Sequence, residues 1–325
     1  THEFAAPGAK TETRIGTIHV PDERIDVLSE MYHPRKTIYA QVEYLLPGKA
    51  EQKKSGASAE DALLRSVRDV DALIHVVRNF SAYGMEPPDP ENDFLLLDQE
   101  LIQTDRRVVE KRLERLMAEA KKGKAPDKEE ETLLLECRKA LEKEVPIRRF
   151  PELTGSRLLR GFALLSAKPV LVLFNNADDD EALPSLSETA ARETCMIIRG
   201  KLEHELAQMD AAEAAELLEE FNIGASATDR VIRQSYTILG LISFFTVGED
   251  EVRAWTIRQG TSAMEAAGVI HTDIQKGFIR AEVISYRDLI DAGSMAAAKK
   301  QTALRLEGKT YEVQDGDIIN FRFNV

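Results

Sequence analysis

Apolar and polar positions along the first eighty residues switch between two periods. Residues 15–20 (IGTIHV) alternate and are β-branched, the pattern of a strand. Ile25, Leu28 and Met31 then fall at helical spacing, with Pro21 and Asp22 as a start signal. Residues 37–46 (TIYAQVEYLL) read as a further strand closed by Pro47-Gly48, and the polar stretch KAEQKKSGASAED as a loop. ALLRSVRDV reads as a short helix, and Leu73–Val77 as a strand of the buried type. Strand and helix in alternation predict a parallel α/β sheet.

The period changes after SAYGMEPPDPEND. From Phe94 to Ala120 the chain reads as one long amphipathic helix, with Leu97, Leu101, Val108, Leu113 and Leu116 near one stripe. KKGKAPDK breaks it, and EEETLLLECRKALEKEV returns as a second helix, so the pair predicts a helical hairpin or short coiled coil. At AKPVLVLFNNADDDEA the α/β pattern resumes. Val170–Phe174 is an apolar run of strand length, expected as a central parallel strand. A strand near Cys195–Ile198 and an acidic helix at AAEAAELLEEF follow. From Ile238 short β segments alternate with turns at Gly260, Gly277, Gly308 and Gly316, and SMAAAKKQTAL supplies a helix. The division expected is an α/β domain over 1–80 and 160–237, an inserted helical hairpin over 81–159, and a small mixed module over 238–325.

Composition narrows the function classes. A chain of 325 residues with 30% charged and 43% hydrophobic positions suits an ordinary globular protein of two or three domains. A net charge of −13 argues against a protein that coats nucleic acid with its whole surface, while leaving room for a local basic patch. No apolar run reaches the ~18–20 residues of a membrane span and no signal-peptide pattern is visible, so a cytoplasmic setting is expected. Cys137 and Cys195 lie far apart without metal-like spacing, the usage of reduced thiols.

Three stretches carry candidate chemistry. After the run LVLF comes Asn175-Asn176-Ala177-Asp178, an N-x-x-D arrangement. It is either an ordinary turn or the segment with which a P-loop NTPase reads a base: an Asn bracing the loop, an acidic side chain accepting from the purine edge. No G-x-x-x-x-G-K-[ST] cradle for phosphates occurs in the chain. VEYLLPG has Leu45 and Leu46 before Pro47-Gly48, where a Walker B-type Asp would hold Mg²⁺, and hydrocarbon cannot ligate magnesium. Arg107, Lys111 and Arg115 repeat at four-residue spacing along the first hairpin helix, with Arg106, Arg112 and Lys121-Lys122 nearby. That stripe can meet a phosphate backbone, or be a solvated face balanced by Glu110, Glu114 and Glu119. The third stretch, AGVIHTDIQKGFIRAEV at 267–283, holds His271, Asp273, Lys276, Arg280 and Glu282. Strand alternation puts Arg280, Glu282 and Ile284 on one face, and a His-Asp pair two apart is expected as a turn hydrogen bond, so the stretch reads as a structural or binding surface.

That same region, FFTVGEDEVRAWTIRQGT, AAGVIHTDIQKGFIRAEVISYRDL and YEVQDGDIINFRFNV, resembles the C-terminal TGS domain of the YchF / Obg-like ATPase family over residues 240–325. Weaker similarity runs through VPDERIDVLSEMYHPRKTIYAQVEYLLPG, VRDVDALIHVVRNF, SAKPVLVLFNNADDD and IIRGKLEHELAQMD. The resemblance implies a P-loop NTPase-like parallel sheet domain, an inserted α-helical coiled-coil hairpin and a C-terminal β-grasp-like TGS domain. It implies binding of ATP or GTP with Mg²⁺, and association with ribosomes or ribosomal RNA. By the same resemblance Asn175, Asn176 and Asp178 belong to the nucleotide site, and Arg199-Gly200-Lys201 borders the base. Arg107, Lys111 and Arg115 are the candidate RNA or partner contacts. The chain departs from the family in three places. A phosphate loop would have to precede Thr1, which needs roughly 25 further residues. The family's D-x-x-G is L-x-x-G at Leu45–Gly48, and its N-x-x-E is N-x-x-D at Asn175–Asp178. Two functions follow: a YchF-like nucleotide-binding protein of the translation apparatus, in which hydrolysis is in doubt, or an adaptor that binds RNA or ribosomes without nucleotide.

Overall fold

The computed structural model describes residues 13–48, 59–123, 125, 127–188, 190–210 and 226–324. The acidic helix expected at AAEAAELLEEF and most of the polar loop after Gly48 lie outside the described residues. The chain folds into two compact units, Thr1–Ile15 with Leu45–Ala227, and Gly16–Tyr44 with Thr228–Val325.

The first unit is built on a parallel sheet of β4 (Leu73–Asn79), β5 (Val170–Asn176) and β6 (Thr194–Ile198), with β5 in the middle. Six of the seven β5 residues are buried, which is what a continuous apolar run gives when both faces of a parallel strand are covered. Helix α2 (Ala59–Ser66) precedes β4 and buries Leu64 with Leu101 and Leu165. Between β4 and β5 the chain leaves on a long excursion. Helix α3 (Pro90–Lys121) starts where Asp89 accepts a hydrogen bond from Asn92 N (3.3 Å) and Pro90 fixes the first helical φ. It returns as α4 (Lys128–Glu142), whose Asp127 cap accepts from Glu129 N and Glu130 N. Val109, Leu113 and Leu116 of α3 pack with Leu134, Cys137 and Leu141 of α4 in one core. Arg112 forks onto Glu130 across the hairpin at 2.7 and 2.8 Å. At the base, the buried Asp105 carboxylate accepts from Leu165 N (2.9 Å) and Ser166 N (2.6 Å), tying α3 to the segment that leads back into the sheet.

The second unit holds a six-stranded sheet. Five of its strands come from the C-terminal stretch: β7 (Leu241–Val247), β8 (Glu251–Arg258), β9 (Phe278–Ser285), β10 (Arg305–Glu307) and β11 (Asp317–Phe323). The sixth, β2 (Lys36–Ile38), comes from the N-terminal segment and lies parallel to β8, with Thr37 opposite Val252. The strand order is β10-β9-β11-β7-β8-β2. Successive strand residues face opposite sides, so Phe244 and Phe245, Val283 and Ile284, and Ile319 and Ile318 feed two different cores. The core holding Phe245, Ile284 and Ile318 is completed by Val20, by Ile25 and Leu28 of α1 (Glu23–Tyr32), and by Ala40 and Val42. The strand expected at 37–46 is interrupted: β2 ends at Ile38 and β3 (Gln41–Leu46) pairs instead with β1 (Arg14–His19). Residues 16–44 therefore group with 228–325, because their apolar side chains are buried there and β2 covers the free edge of β8.

Candidate nucleotide site

The three parallel strands end side by side, Asn79 opposite Asn176 and Asn175 opposite Ile198. In open parallel sheets this carboxyl edge is where ligands bind. The loop after β5 and the turn from β6 into helix Gly200–Leu206 are joined there by side-chain bonds.

Asn175 Oδ1 accepts from Gly200 N at 2.8 Å. A Cβ at position 200 would stand 2.9 Å from that oxygen, so the close approach requires glycine. Asn176 is 3% exposed. Its Nδ2 donates to Asp180 O (3.2 Å) and Ala182 O (2.9 Å), and its Oδ1 accepts from Asn79 Nδ2 (2.9 Å). Asn176 thus braces the loop, with both amide N–H groups donated and Oδ1 engaged in a side chain that is closed to solvent. Asp178 accepts from Leu202 N through Oδ1 (3.2 Å) and from Lys201 Nζ through Oδ2 (3.0 Å). Lys201 is otherwise solvent-exposed, and the hydrogen bond to Asp178 raises its pKa above the ordinary lysine value. Arg199 is buried, donating to Asp178 O (3.3 Å) and Glu181 (2.9 Å).

The six residues expected at the site are therefore gathered, with a division of labour the sequence did not show. Asn175 and Gly200 hold two loops together, Asn176 and Arg199 are internal braces, and Asp178 with Lys201 stands nearest solvent. Sequence reasoning missed Asn79 and Glu181. Asn79 had a signal, since HVVRN and VLFNN both end in Asn and neighbouring parallel strands align those ends.

The other candidates fall elsewhere. Leu45 is half-buried and Leu46 is 65% exposed at the end of β3, and both are hydrocarbon, so this segment does not fit Mg²⁺. Among the described residues no group of three or more His, Cys, Asp or Glu side chains is placed to hold a metal ion. Arg107, Lys111 and Arg115 are all exposed on α3. Arg106 pairs with Glu110 (2.8 Å), and Arg107 donates to Thr104 Oγ1 (3.2 Å). His271 Nδ1 accepts from Asp273 N (3.2 Å), capping helix Thr272–Lys276. Glu282 is buried and accepts from Asn320 Nδ2 (2.7 Å) and Arg322. Of the 267–283 cluster, His271 and Glu282 are thereby engaged in their own fold, while Lys276 and Arg280 are exposed. Burial pushes the Cys137 thiol up to about 12 and raises that of Cys195, which keeps both protonated at neutral pH.

A family model described as YchF-GTPase_C, "Protein of unknown function (DUF933)", matches residues 241–324. The chain is 38% identical over 338 residues to the "Ribosome-binding ATPase YchF" of Bacillus subtilis, covering 98% of this chain and 91% of that protein. It is 35% identical over 331 residues to the protein of the same name from Haemophilus influenzae, with the same coverages of 98% and 91%. The solved structure of the Schizosaccharomyces pombe YchF GTPase superposes with a TM-score of 0.80 at 32% identity, over 97% of this chain and 89% of that one. A GTP-binding protein from Pyrococcus horikoshii shares the fold at a TM-score of 0.56 and 17% identity, over 95% of this chain and 93% of that one.

Proposed function

The chain belongs to the YchF family, and on that premise we propose that it is a cytoplasmic, nucleotide-binding protein that works on ribosomes. The observation that carries the nucleotide part is the Asp178 carboxylate held at the joint of the two loops that Asn175 and Gly200 close. An ionised carboxylate has about four lone-pair sites. Leu202 N and Lys201 Nζ take two, leaving acceptors for the N–H edge of a purine. In this reading Asn175, Gly200 and Asp178 form the base pocket, Lys201 borders it, and Asn176 and Arg199 keep the loops in place. Guanine offers two donors to a carboxylate and adenine its exocyclic amine, so the shorter acid in N-x-x-D is compatible with either nucleotide.

The test is calorimetric titration of the protein with ATP, GTP and CTP. Purine nucleotides are expected to bind more tightly than CTP, and Asp178→Ala to weaken them at least about tenfold, the worth of hydrogen bonds to a charged group. Equal affinity for all three would remove the base-reading role. No hydrolytic step is assigned to this chain, because Leu45 stands where the family's metal-organising acid would be.

Ribosome association is assigned to the exposed stripe of Arg107, Lys111 and Arg115, which suits contact with phosphate backbone. Lys111→Glu with Arg115→Glu should lower co-sedimentation with ribosomes and flatten its salt dependence. Undiminished co-sedimentation sinks the stripe. A second reading, an adaptor that takes no nucleotide, is favoured by Leu45. Its signature is co-sedimentation that ATP and GTP leave unchanged.

A further inference from the structure

The first unit carries a second charged cavity, at the other end of its sheet from the base loops. Its lining includes Arg192, just before β6, whereas Arg199 follows that strand, so the length of the strand, roughly 16 Å at ~3.3 Å per residue, lies between the two sites. The cavity encloses about 330 Å³, within the span of small-molecule pockets.

We propose that this cavity binds a small amphiphilic anion, an oxyanion head on an apolar ring or short-chain body. The argument for the head starts behind the wall. Arg148 is 6% exposed, bridging Asp98 (2.6 Å) and Glu193 (2.9 Å), yet its Nη1 is buried without any acceptor. Arg148 is not itself among the lining residues; it adds its charge behind the wall through Asp98 and Glu193. Arg149, which lines the cavity, already serves Glu193 (2.6 Å) and the Arg192 carbonyl (3.0 Å). Lys143 and Arg192 line the same space, are exposed, and make no ion pair among the described residues. The lining thus holds three cations, Lys143, Arg149 and Arg192, against two carboxylates, Asp98 and Glu144, a local positive surplus in a chain whose net charge is −13. Glu144 sits at φ 57, in the left-handed region that a non-glycine residue enters at a cost, and it closes the turn that carries Lys143.

The argument for the body comes from the apolar part of the lining. Leu95 and Ile102 fall on one stripe of α3 with the polar Asp98 and Gln99, and Val145 and Pro146 add two further apolar residues to the lining. A cavity whose lining holds three cations, two carboxylates and four apolar side chains rewards a ligand having both charged and apolar parts. Inorganic phosphate forgoes the burial, and a neutral ring forgoes the charge.

Calorimetric titration of the whole protein with phenyl phosphate tests this, with phenylacetate as the carboxylate counterpart, and inorganic phosphate and benzyl alcohol as head-only and body-only probes. One site per chain is expected for phenyl phosphate or phenylacetate, and the stronger of the two assigns the head. The head-only and body-only probes should bind at least about tenfold more weakly. Lys143→Gln and Arg192→Gln, both at exposed positions, should each weaken the amphiphile about tenfold. Gln99→Trp, also at an exposed position, should abolish binding by filling the space while leaving the circular dichroism spectrum unchanged. Asp178→Ala should have no effect, which separates this site from the base loops. Absence of binding by both amphiphiles, affinity untouched by all three cavity variants, or binding lost in Asp178→Ala overturns the proposal.

Discussion

At the scale of single residues, the molecule shows how one polar side chain can be spent on structure or kept for chemistry. Asn175 and Asn176 are adjacent and identical, yet one links two loops and the other has its amide N–H groups and Oδ1 engaged inside. Glu282 is the same kind of case. Its hydrogen bonds from Arg322 and then Asn320 hold its carboxyl below the usual carboxylate range. A depressed folded-state value stabilises the fold above the unfolded pKa of about 4.3, and that stability is lost as pH falls through the folded value. Chemical denaturation across pH should therefore show the wild type losing stability between about pH 5 and pH 3 more steeply than Glu282→Gln. Parallel curves would mean that Arg322 and Asn320 contribute nothing specific to the ionised form. The alternation of GFIRAEVI placed Glu282 on one face with Arg280 and Ile284, but did not show the two β11 side chains that bury it. Those lie about forty positions away in sequence, with Asn320 directly opposite Glu282.

At the scale of elements, the helical hairpin was legible because everything that makes it is local. Its stripe follows a 3.6-residue period, Asp89 and Asp127 cap the two helices, and Gly123 supplies a positive φ (86°) in the turn. What holds α3 against α4 is the buried row around Leu134, which is fully buried. Leu134→Ala should cost about 2–5 kcal/mol in thermal or denaturant unfolding, for lost transfer energy plus the cavity left behind. A loss below about 1 kcal/mol would show that the hairpin collapses around the gap and is loosely packed at this position. Strands were less legible. TIYAQVEYLL reads as one strand, but the chain turns away after Ile38, and its two halves join different sheets.

At the scale of the whole molecule, that split changes which residues depend on one another. The C-terminal sheet takes Val20, Ile25, Leu28, Ala40 and Val42 into one of its two cores and β2 onto its β8 edge. Arg24 of α1 adds a fork between Asp22 and Asp315 (2.8 and 2.7 Å). A fragment of residues 228–325 alone should therefore expose apolar surface and an unpaired strand edge. We expect it to melt at least several degrees below the fragment co-expressed with residues 13–48, as a stability loss of a few kcal/mol implies for a domain of this size. Equal melting temperatures would make the N-terminal segment a passenger on the C-terminal sheet.

The sequence by itself determined the helical hairpin, the parallel strands of the first unit and the loops that carry the candidate chemistry, because periodicity, caps and turn residues act between positions a few residues apart. It did not show the helices Ala227–Ile238, Ala263–Ile270 and Tyr286–Ala292, which are short or lie against the C-terminal sheet. The tertiary structure alone decided which strand edges meet, which of two neighbouring asparagines is consumed as a brace, and which carboxylates are buried. Those outcomes depend on partners distant in the chain, Asn79 for Asn176, Asp315 for Arg24 and Val252 for Thr37, brought together by burial of apolar surface that no local pattern encodes.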